Sequence, residues 1–201
     1  MPVKPGTHRD APAKSIETEV KIELADLPEV RDRLVRLGFR IRMPRAFEDN
    51  WIFDTPDRSL AARRQLLRVR SFGDRAWITL KTPSRHSTRY KIRQELETEL
   101  GDARVVRQLL RSLGFEPSFR YQKFRTILEP GKPSGKKLTV TFDETPIGDF
   151  LEIEGSARDI PALAAKLGYK PTDFIQDSYW QLYRKRRPRS SGTSMIFRKR
   201  G

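Results

Sequence analysis

Two carboxylates and a lysine alternate along the first patterned stretch of the chain. Glu17, Glu19 and Lys21 occupy alternate positions between residues 16 and 24, and apolar side chains such as Val20 and Ile22 lie between them. Because side chains on a β-strand point alternately to its two faces, the stretch predicts a strand with one charged and one apolar face. Carboxylate oxygens suit a divalent cation and an ammonium group suits a phosphate, so the charged face has the groups for metal and phosphate chemistry.

Charged residues at alternate positions recur in most of the other predicted strands. Apolar residues such as Val69, Ile78 and Ile153 occupy the opposite faces of those strands. The further charged residues on these faces are Arg68, Arg70, Lys81, Arg93, Glu95, Glu97, Lys123, Arg125, Asp143, Glu152 and Glu154. Carboxylate pairs suit a hard cation and arginine pairs suit phosphate oxygens, so the mixture suits a polyphosphate–metal complex.

Two arrangements fit these amphipathic strands, and the pattern alone leaves both open. In an open sheet the charged faces meet solvent and the apolar faces pack on helices. In a closed barrel the apolar faces lie under the helices and the charged faces line a lumen, which in an eight-stranded barrel can hold one small ligand. Burial of so many charges requires that they pair with each other, with a metal or with a charged ligand.

The elements that would position these residues include a repeated unit. Residues 16–39 contain a charged strand, a helix cap at Asp26, an amphipathic helix and a closing Leu-Gly-Phe, and residues 92–115 repeat this order with Asp102 as the cap. A shorter third copy runs from residue 150 to residue 169. About eight strands with mostly short connections, among them residues 50–54 and 121–128, predict an antiparallel sheet. Residues 177–183 are expected to begin or to lie in a last helix.

Composition limits the class of protein. The 201 residues suit a disordered arm at 1–14, one domain at 15–186 and a basic tail at 187–201. The absence of cysteine excludes disulfides, thiolate metal sites and cysteine nucleophiles. No stretch approaches the roughly 18 apolar residues of a membrane span, so we expect a cytoplasmic protein with no membrane partner.

The net charge of +15 indicates an affinity for anions. Part of the excess lies in the segment from Arg184 to Gly201, and the rest is expected inside the patterned strands. We expect the tail to be solvated and to make nonspecific contacts with polyanions. The sequence leaves the oligomeric state open, with a homodimer as one alternative.

The motifs, in their order, resemble those of the CYTH superfamily, also called triphosphate tunnel metalloenzymes. The resemblance extends from about Ile16 to Leu182 and opens with the signature Glu17-x-Glu19-x-Lys21. The further motifs are Asn50-x-x-Phe53-Asp54-Thr55-Pro56, Leu67-Arg68-x-Arg70, Thr79-x-Lys81, Arg93-x-Glu95-x-Glu97, Lys123-x-Arg125, Gly148-x-Phe150-x-Glu152-x-Glu154 and Ser178-Tyr179-x-x-Leu182. The last motif is similar to that of the bacterial branch grouped with class IV adenylate cyclases.

The resemblance implies an α+β fold in which an eight-stranded antiparallel β-barrel forms a tunnel with a charged lumen and helices packed outside. It implies a triphosphate-containing small molecule as ligand and Mg²⁺ or Mn²⁺ as cofactor. The implied metal ligands are Glu17, Glu19, Glu152 and Glu154, with Glu97 and Asp143 placing a second metal or the attacking water. The implied phosphate ligands are Lys21, Arg68, Arg70, Lys81, Arg93, Lys123 and Arg125. Catalytic roles are implied for Lys21, Glu97 and Asp143.

The function expected from this resemblance is metal-dependent hydrolysis of an inorganic or organic triphosphate. Two alternatives stay open: an adenylate cyclase that makes cyclic AMP and pyrophosphate from ATP, and a non-catalytic module that binds polyphosphate or nucleic acid. Lys185 is a candidate for a further basic residue that reaches the tunnel from the last helix. Trp51, Trp77 and Trp180 are expected to pack in the protein rather than to stack on a base.

Overall fold

The computed structural model describes residues 15–84, 90–131, 138–186 and 192–198. The strands of this part are β1 (Ser15–Leu24), β2 (Phe39–Asp54), β3 (Leu66–Phe72), β4 (Arg75–Pro83), β5 (Lys91–Leu100), β6 (Glu116–Pro130), β7 (Thr139–Thr145), β8 (Gly148–Glu154) and β9 (Ser194–Met195). The α-helices are α1 (Leu27–Arg36), α2 (Ser59–Ala62), α3 (Ala103–Ser112), α4 (Asp159–Lys166) and α5 (Tyr179–Arg186). A short 3₁₀-helix spans Pro171–Asp173.

Local sequence signals place the two long connecting helices. The Asp26 side chain accepts a hydrogen bond from the Glu29 backbone N–H at the start of α1, and Asp102 does the same for α3 with Arg104 and Val105. These caps satisfy backbone donors that a helix start leaves free. The helices stop where the predicted Leu-Gly-Phe occurs, so the repeated unit is confirmed.

Pairing of the strands closes the sheet into a barrel. The order β2-β3-β4-β5-β1-β8-β7-β6 runs through neighbouring strands, and β6 pairs with β2 to complete the ring. All these pairings are antiparallel, as short connections favour. The strands that begin the two repeats, β1 and β5, lie side by side, and the strands that follow their helices, β2 and β6, also pair. The expected eight-stranded antiparallel barrel is therefore confirmed.

The helices cover the outside of the barrel, which directs the charged faces inward. One core cluster joins α1 and α4 to the apolar faces of β1, β7 and β8, with Val20, Ile22 and Ile153 almost fully buried. A second cluster joins α3 to β2 and β3 through Leu110, Phe53 and Val69. Burial of each such side chain contributes roughly 1.5–3 kcal/mol, so turning these strands over would be costly.

The C-terminal helix α5 closes one end of the barrel with aromatic side chains. Tyr179 and Tyr183 of this helix pack against Phe119, Tyr121 and Phe150, which point into the barrel near that end. Ring centroids in this cluster lie 4.9–5.8 Å apart. The lumen is thus apolar at the α5 end and charged farther along.

Three expectations about the elements need correction. β2 was expected only at residues 50–54, but it begins at Phe39, with register shifts around Met43 and Ala46 that break the alternation of its sequence. The expected last helix is confirmed and begins at Tyr179, after Ser178 and Gln181 have formed a capping contact. β6 also begins earlier than expected, at Glu116.

The third correction concerns the C-terminal tail. Residues 194–195 of the predicted solvated tail form β9, which pairs in parallel with β6 at Arg120 and Tyr121. Met195 is 1% exposed and Phe197 stacks on Phe124. Apolar side chains therefore hold this part of the tail on the barrel. The predicted arm at 1–14 lies outside the described residues, and within them we find no helix long and apolar enough to cross a membrane.

Candidate functional site

The lumen of the barrel brings together every charged residue that the sequence assigned to the site. Alternation on the strands and the ion pairs between them place these groups inside, together with two residues that the sequence analysis missed, Glu48 and Lys91. The lumen cations are Lys21, Arg68, Arg70, Lys81, Lys91, Arg93, Lys123 and Arg125. The lumen carboxylates are Glu17, Glu19, Glu48, Glu95, Glu97, Asp143, Glu152 and Glu154. Among the described residues the two sets are equal in number, so these groups are together formally neutral.

Asp143 anchors the cations of β6. Its carboxylate accepts hydrogen bonds from Lys123 Nζ at 2.8 Å and from Arg125 Nε and Nη2, both at 2.6 Å. The Tyr179 hydroxyl of α5 donates to the same carboxylate at 2.7 Å. Asp143 is 0% exposed. With four donors on two oxygens, this carboxylate is saturated and serves to hold the cations in position.

Glu48 lies on β2 beside the same cations. Its Oε1 accepts from Asn50 Nδ2 at 2.9 Å and lies 3.3 Å from Lys123 Nζ. Its Oε2 lies 3.8 Å from Arg125 Nε and 3.9 Å from Arg70 Nη1, and accepts no hydrogen bond from the described part of the chain. A fully buried carboxylate with one incompletely satisfied oxygen marks this spot as a place where another polar group can bind.

The arginines of β3 face a carboxylate on β5. Arg70 Nη2 lies 3.3 Å from both oxygens of Glu97, and Arg68 Nη2 lies 3.7 Å from Glu97 Oε2. Thr79 donates to the same oxygen at 2.6 Å. The Glu97 side chain is 31% exposed, in contrast to Asp143. Glu97 is therefore the more accessible of the two carboxylates expected to act in catalysis.

Three of the inward carboxylates on β1 and β8 contact basic groups. Glu19 and Glu154 are direct partners across these strands. Lys81 Nζ lies 2.8 Å from Glu17 and also contacts Glu95, while Lys91 Nζ lies 2.7 Å from Glu19. The further carboxylate of this group, Glu152, lies 3.0 Å from Lys21 and also contacts Arg125. These ion pairs satisfy charges that would otherwise be costly to bury.

The cation–carboxylate network shifts several pKa values. Burial alone would raise the pKa of the Glu48 carboxyl, but Lys123 and Arg125 outweigh it and lower that pKa well below the ordinary value. Burial is likewise outweighed at Lys21, whose pKa is raised mainly by Glu152. At Lys91 burial prevails over the attraction of Glu19, so the pKa of this amine is lowered. For the Tyr179 hydroxyl, burial and then Asp143 raise the pKa.

The acidic residues fit a divalent cation in type and in placement, although they do not form a ready-made metal centre. Glu17 and Glu19 share one face of β1, and Glu152 and Glu154 share the neighbouring face of β8. Oxygen ligands of this kind suit Mg²⁺ or Mn²⁺. In the ranges that the structure describes, no three carboxylates or histidines converge closely enough to hold a metal as they stand. A metal would take the place of the lysines that now contact these carboxylates.

Two expectations about basic residues are wrong. The excess positive charge does not lie on the inward faces of the patterned strands, because the cations and carboxylates there are equal in number. Lys185 does not reach the lumen: its side chain is 68% exposed and pairs with Asp177. Arg93 faces the lumen at the position across from Glu17. It makes no ion pair with the described residues.

Glu48 was not predicted because the stretch before Asn50 shows no clear alternation. A signal was present, since Glu48, Asn50 and Ile52 occupy alternate positions of β2. Lys91 was missed although it stands two residues before Arg93, on the same strand face. The part played by Tyr179 depends on how α5 packs into the barrel, which local patterns do not encode.

A mixed lumen of this kind can bind a polyanion and a metal together. Arginine side chains bind phosphate oxygens in a bidentate manner, and the accessible Glu97 can accept a proton. The arrangement thus combines phosphate binding, a potential metal site and a proton acceptor on rigid strands. Those are the components of phosphoryl-transfer chemistry.

Comparisons with known proteins give a family and a fold. The model of the CYTH domain matches residues 15–179. A candidate adenylate cyclase of Methanocaldococcus jannaschii is 29% identical over 146 residues, which cover 72% of this chain and 79% of that protein. The structure of a Pyrococcus horikoshii protein covers 85% of this chain and 99% of its own, with a TM-score of 0.70 and 26% identity.

Two further solved structures share the fold at lower identity. A candidate adenylate cyclase from Vibrio parahaemolyticus has a TM-score of 0.72 and 18% identity, and covers 83% of this chain and 97% of its own. A candidate adenylyl cyclase from Hippeastrum, described as having a dominant triphosphatase activity, has a TM-score of 0.59 and 17% identity, and covers 84% and 95%. At these identities the likeness concerns the fold alone.

Proposed function

The chain belongs to the CYTH domain family, and from this premise we propose that it hydrolyses a triphosphate inside its barrel with the help of a divalent metal. The observation that carries the proposal is the lumen itself, in which cations and carboxylates alternate on adjoining strands in equal numbers. A site for a bare polyanion would have cations alone, because carboxylates repel phosphates. The carboxylates of β1 and β8 therefore support a ligand that arrives with a metal.

The chain's own residues would bind and orient the phosphates. Arg68, Arg70 and Arg125 offer guanidinium groups, and Lys21 and Lys123 offer ammonium groups, all on strands that fix their position. Burial strengthens these contacts because the lumen excludes much of the solvent. A divalent metal held by Glu17, Glu19, Glu152 and Glu154 would supply Lewis-acid stabilisation of the phosphate oxygens.

Glu97 is our candidate for the proton acceptor. When phosphate oxygens take over Arg70, the carboxylate loses its contact with that guanidinium and can accept a proton from water. The water oxygen then bonds to the terminal phosphorus, the bond to the bridging oxygen breaks, and diphosphate leaves. Asp143 cannot easily take this part, because Lys123, Arg125 and Tyr179 already occupy its oxygens.

Adenylate cyclase chemistry is the second candidate, since the Methanocaldococcus and Vibrio proteins carry that description. In that reaction the ribose 3′-hydroxyl of ATP attacks the α-phosphorus and pyrophosphate leaves. The same lumen would bind the phosphates of ATP, but ATP would lie in it so that the reaction takes place at the α-phosphorus. The products distinguish the two reactions: orthophosphate on one side, cyclic AMP and pyrophosphate on the other.

Product analysis with inorganic triphosphate and ATP, each with Mg²⁺, Mn²⁺ or a chelator, tests the proposal. We expect orthophosphate release that requires metal. Glu97→Gln should lower kcat by roughly 100-fold or more, the usual contribution of a general base. Glu19→Gln should abolish the metal-dependent turnover. Glu23→Gln is the matched control, because Glu23 lies on the same strand but pairs with Arg186 at the closed end.

Different outcomes would overturn different parts of the proposal. Cyclic AMP as the main product would replace hydrolysis by cyclisation. Full metal-dependent activity in Glu19→Gln would remove this residue from the metal site. Tight binding of triphosphate without any product would favour the non-catalytic module.

A further inference from the structure

Trp77 occupies a position that the phosphate-binding role of the lumen does not explain. It lies on β4, on the same face as Thr79 and Lys81, while Ile78 and Leu80 face outward. Its direct partners across the sheet are Arg70 on β3 and Glu99 on β5. The indole ring is therefore on the lumen side of the barrel and is half-buried.

Side-chain exposure places Trp77 at the open mouth of the lumen. The helix α5 closes the other end, near Arg68, whose side chain is 10% exposed. Along the β3–β4 hairpin, in the direction away from α5, the exposed fraction of the arginine side chains rises to 15% at Arg70 and 52% at Arg75. Trp77 lies between these last two residues. A triphosphate held by the lumen arginines would therefore leave whatever it carries beside this ring.

The ring already has a cation on each side along the hairpin. The Arg70 guanidinium carbon lies 4.8 Å from the ring centroid and that of Arg75 lies 5.0 Å from it. Arg70 belongs to the buried network, but Arg75 is bound only at the surface, to Glu99 at 2.5 Å. Exposed ion pairs of this kind contribute little to stability. A planar group can therefore displace Arg75 from the ring at small cost.

We propose that Trp77 is a stacking platform for an aromatic base, so that this site takes a nucleoside triphosphate in preference to inorganic triphosphate. The inference rests on the proposed function, since it assumes that the lumen holds the triphosphate. Base–aromatic stacking needs no base-specific hydrogen bond, because every base has a π-face. The nearby guanidinium groups favour a neutral base over a cationic ring such as a thiazolium.

Binding of ATP and of inorganic triphosphate to Trp77 variants separates this role from a structural one. In Trp77→Leu we expect the Kd and KM for ATP to rise roughly tenfold or more, as lost base stacking predicts, while the values for inorganic triphosphate stay the same. Trp77→Phe should restore part of the ATP affinity because it keeps a ring. ATP should quench the tryptophan fluorescence of the wild type, inorganic triphosphate should not, and Trp77→Phe should lose the quenching.

Trp51→Phe is the matched control. Its ring also lies near two arginines, Arg107 at 5.1 Å and Arg120 at 4.7 Å, but it packs outside the barrel beside α3. This control should leave both affinities and the quenching by ATP unchanged.

An equal loss of affinity for both ligands in Trp77→Leu would overturn the inference while the proposed function stands. If the wild type binds neither ligand with metal present, the proposed function fails, and the inference fails with it. Comparison of the quenching in the wild type and in Trp77→Phe decides the matter even where Trp77→Leu does not fold: quenching that persists in Trp77→Phe would overturn the inference.

Discussion

Glu48 is a buried lumen carboxylate that opposes the attraction of an anion. It presents a fixed negative charge to Lys123, Arg125 and Arg70, which are also the groups that a phosphate would use. In the free protein it stabilises these cations, and in the complex it competes with the ligand. The same carboxylate therefore has opposite effects on stability and on affinity.

Replacement of Glu48 by glutamine tests this opposition. The amide keeps the shape and removes the charge, so we expect Glu48→Gln to bind inorganic triphosphate roughly tenfold or more tightly. Without ligand, the variant should unfold with a free energy lower by about 3 kcal/mol, because buried cations lose their counter-ion. Calorimetry and urea unfolding measure the two effects. Glu144→Gln, which breaks an exposed pair with Arg45, is the control. Unchanged affinity in Glu48→Gln would show that phosphates bind elsewhere.

The depressed pKa values of Glu48 and Glu152 predict how stability depends on pH. A carboxyl whose pKa is lower in the folded than in the unfolded chain stabilises the fold at pH values above its unfolded pKa, here 4.5. This contribution is lost as the pH falls towards the pKa of the folded state. The free energy of unfolding should therefore fall between about pH 5 and about pH 3. Glu48→Gln should show a shallower fall over that range. Urea unfolding at a series of pH values measures it, and parallel curves would contradict the assigned pKa shift.

At the scale of the elements, α5 links the closed end of the barrel to the charged lumen. The Tyr179 hydroxyl donates to Asp143, and its ring centroid lies 4.4 Å from Lys21 Nζ and 5.2 Å from Lys123 Nζ. A shift of the helix would therefore move an anchor of the phosphate-binding cations. Helix α5 therefore positions charged groups of the lumen in addition to closing one end of the barrel.

Tyr179→Phe isolates that positioning role, since the ring remains and only the hydroxyl is lost. We expect the free energy of unfolding to fall by about 1.5–3 kcal/mol, the value of a hydrogen bond to a charged group. We also expect a lower kcat, because the cations that Asp143 holds are less precisely aligned without the hydroxyl, and little change in KM, because Asp143 keeps its bonds to Lys123 and Arg125. Steady-state kinetics and urea unfolding measure both. Tyr183→Phe, on the same helix but beside Phe119, serves as the comparison, and equal kcat losses in the two variants would contradict a specific role for Tyr179.

Elements with local signals were predictable, and elements fixed by distant pairing were not. Asp26 and Asp102 predict the starts of their helices, because a capping side chain bonds to backbone N–H groups in the turn that follows it. The early part of β2 gives no such signal, since its register shifts disrupt the alternation that identifies a strand. Glu48 lies near that part and was missed for the same reason. Met195 shows an error of another kind. The basic composition of the tail predicted a solvated segment, but this apolar side chain is buried against the barrel.

At the scale of the whole molecule, closure of the barrel separates the charged groups that line the lumen from the other charged groups. The strand pattern alone left open whether the charged faces meet solvent, and the pairing of β2 with β6 answers that question. The charged groups that line the lumen balance one another, so they contribute nothing to the net charge of +15. Long-range attraction of anions therefore comes from charges other than these lumen groups.

Neutrality of the lumen leads to a prediction about metal removal. A triphosphate carries several negative charges, and its entry alone would leave the barrel with an uncompensated charge in a poorly solvated space, which is costly. We therefore expect chelation of divalent metal to weaken the binding of inorganic triphosphate by at least tenfold. Calorimetry with Mg²⁺ or with EDTA at constant ionic strength measures this, since added salt also screens the outer charge. Glu19→Gln, which removes one lumen carboxylate, should bind the metal-free ligand better than the wild type and gain less from Mg²⁺. Equal affinity of the wild type with and without metal would mean that protons or the loss of internal ion pairs balance the ligand's charge instead.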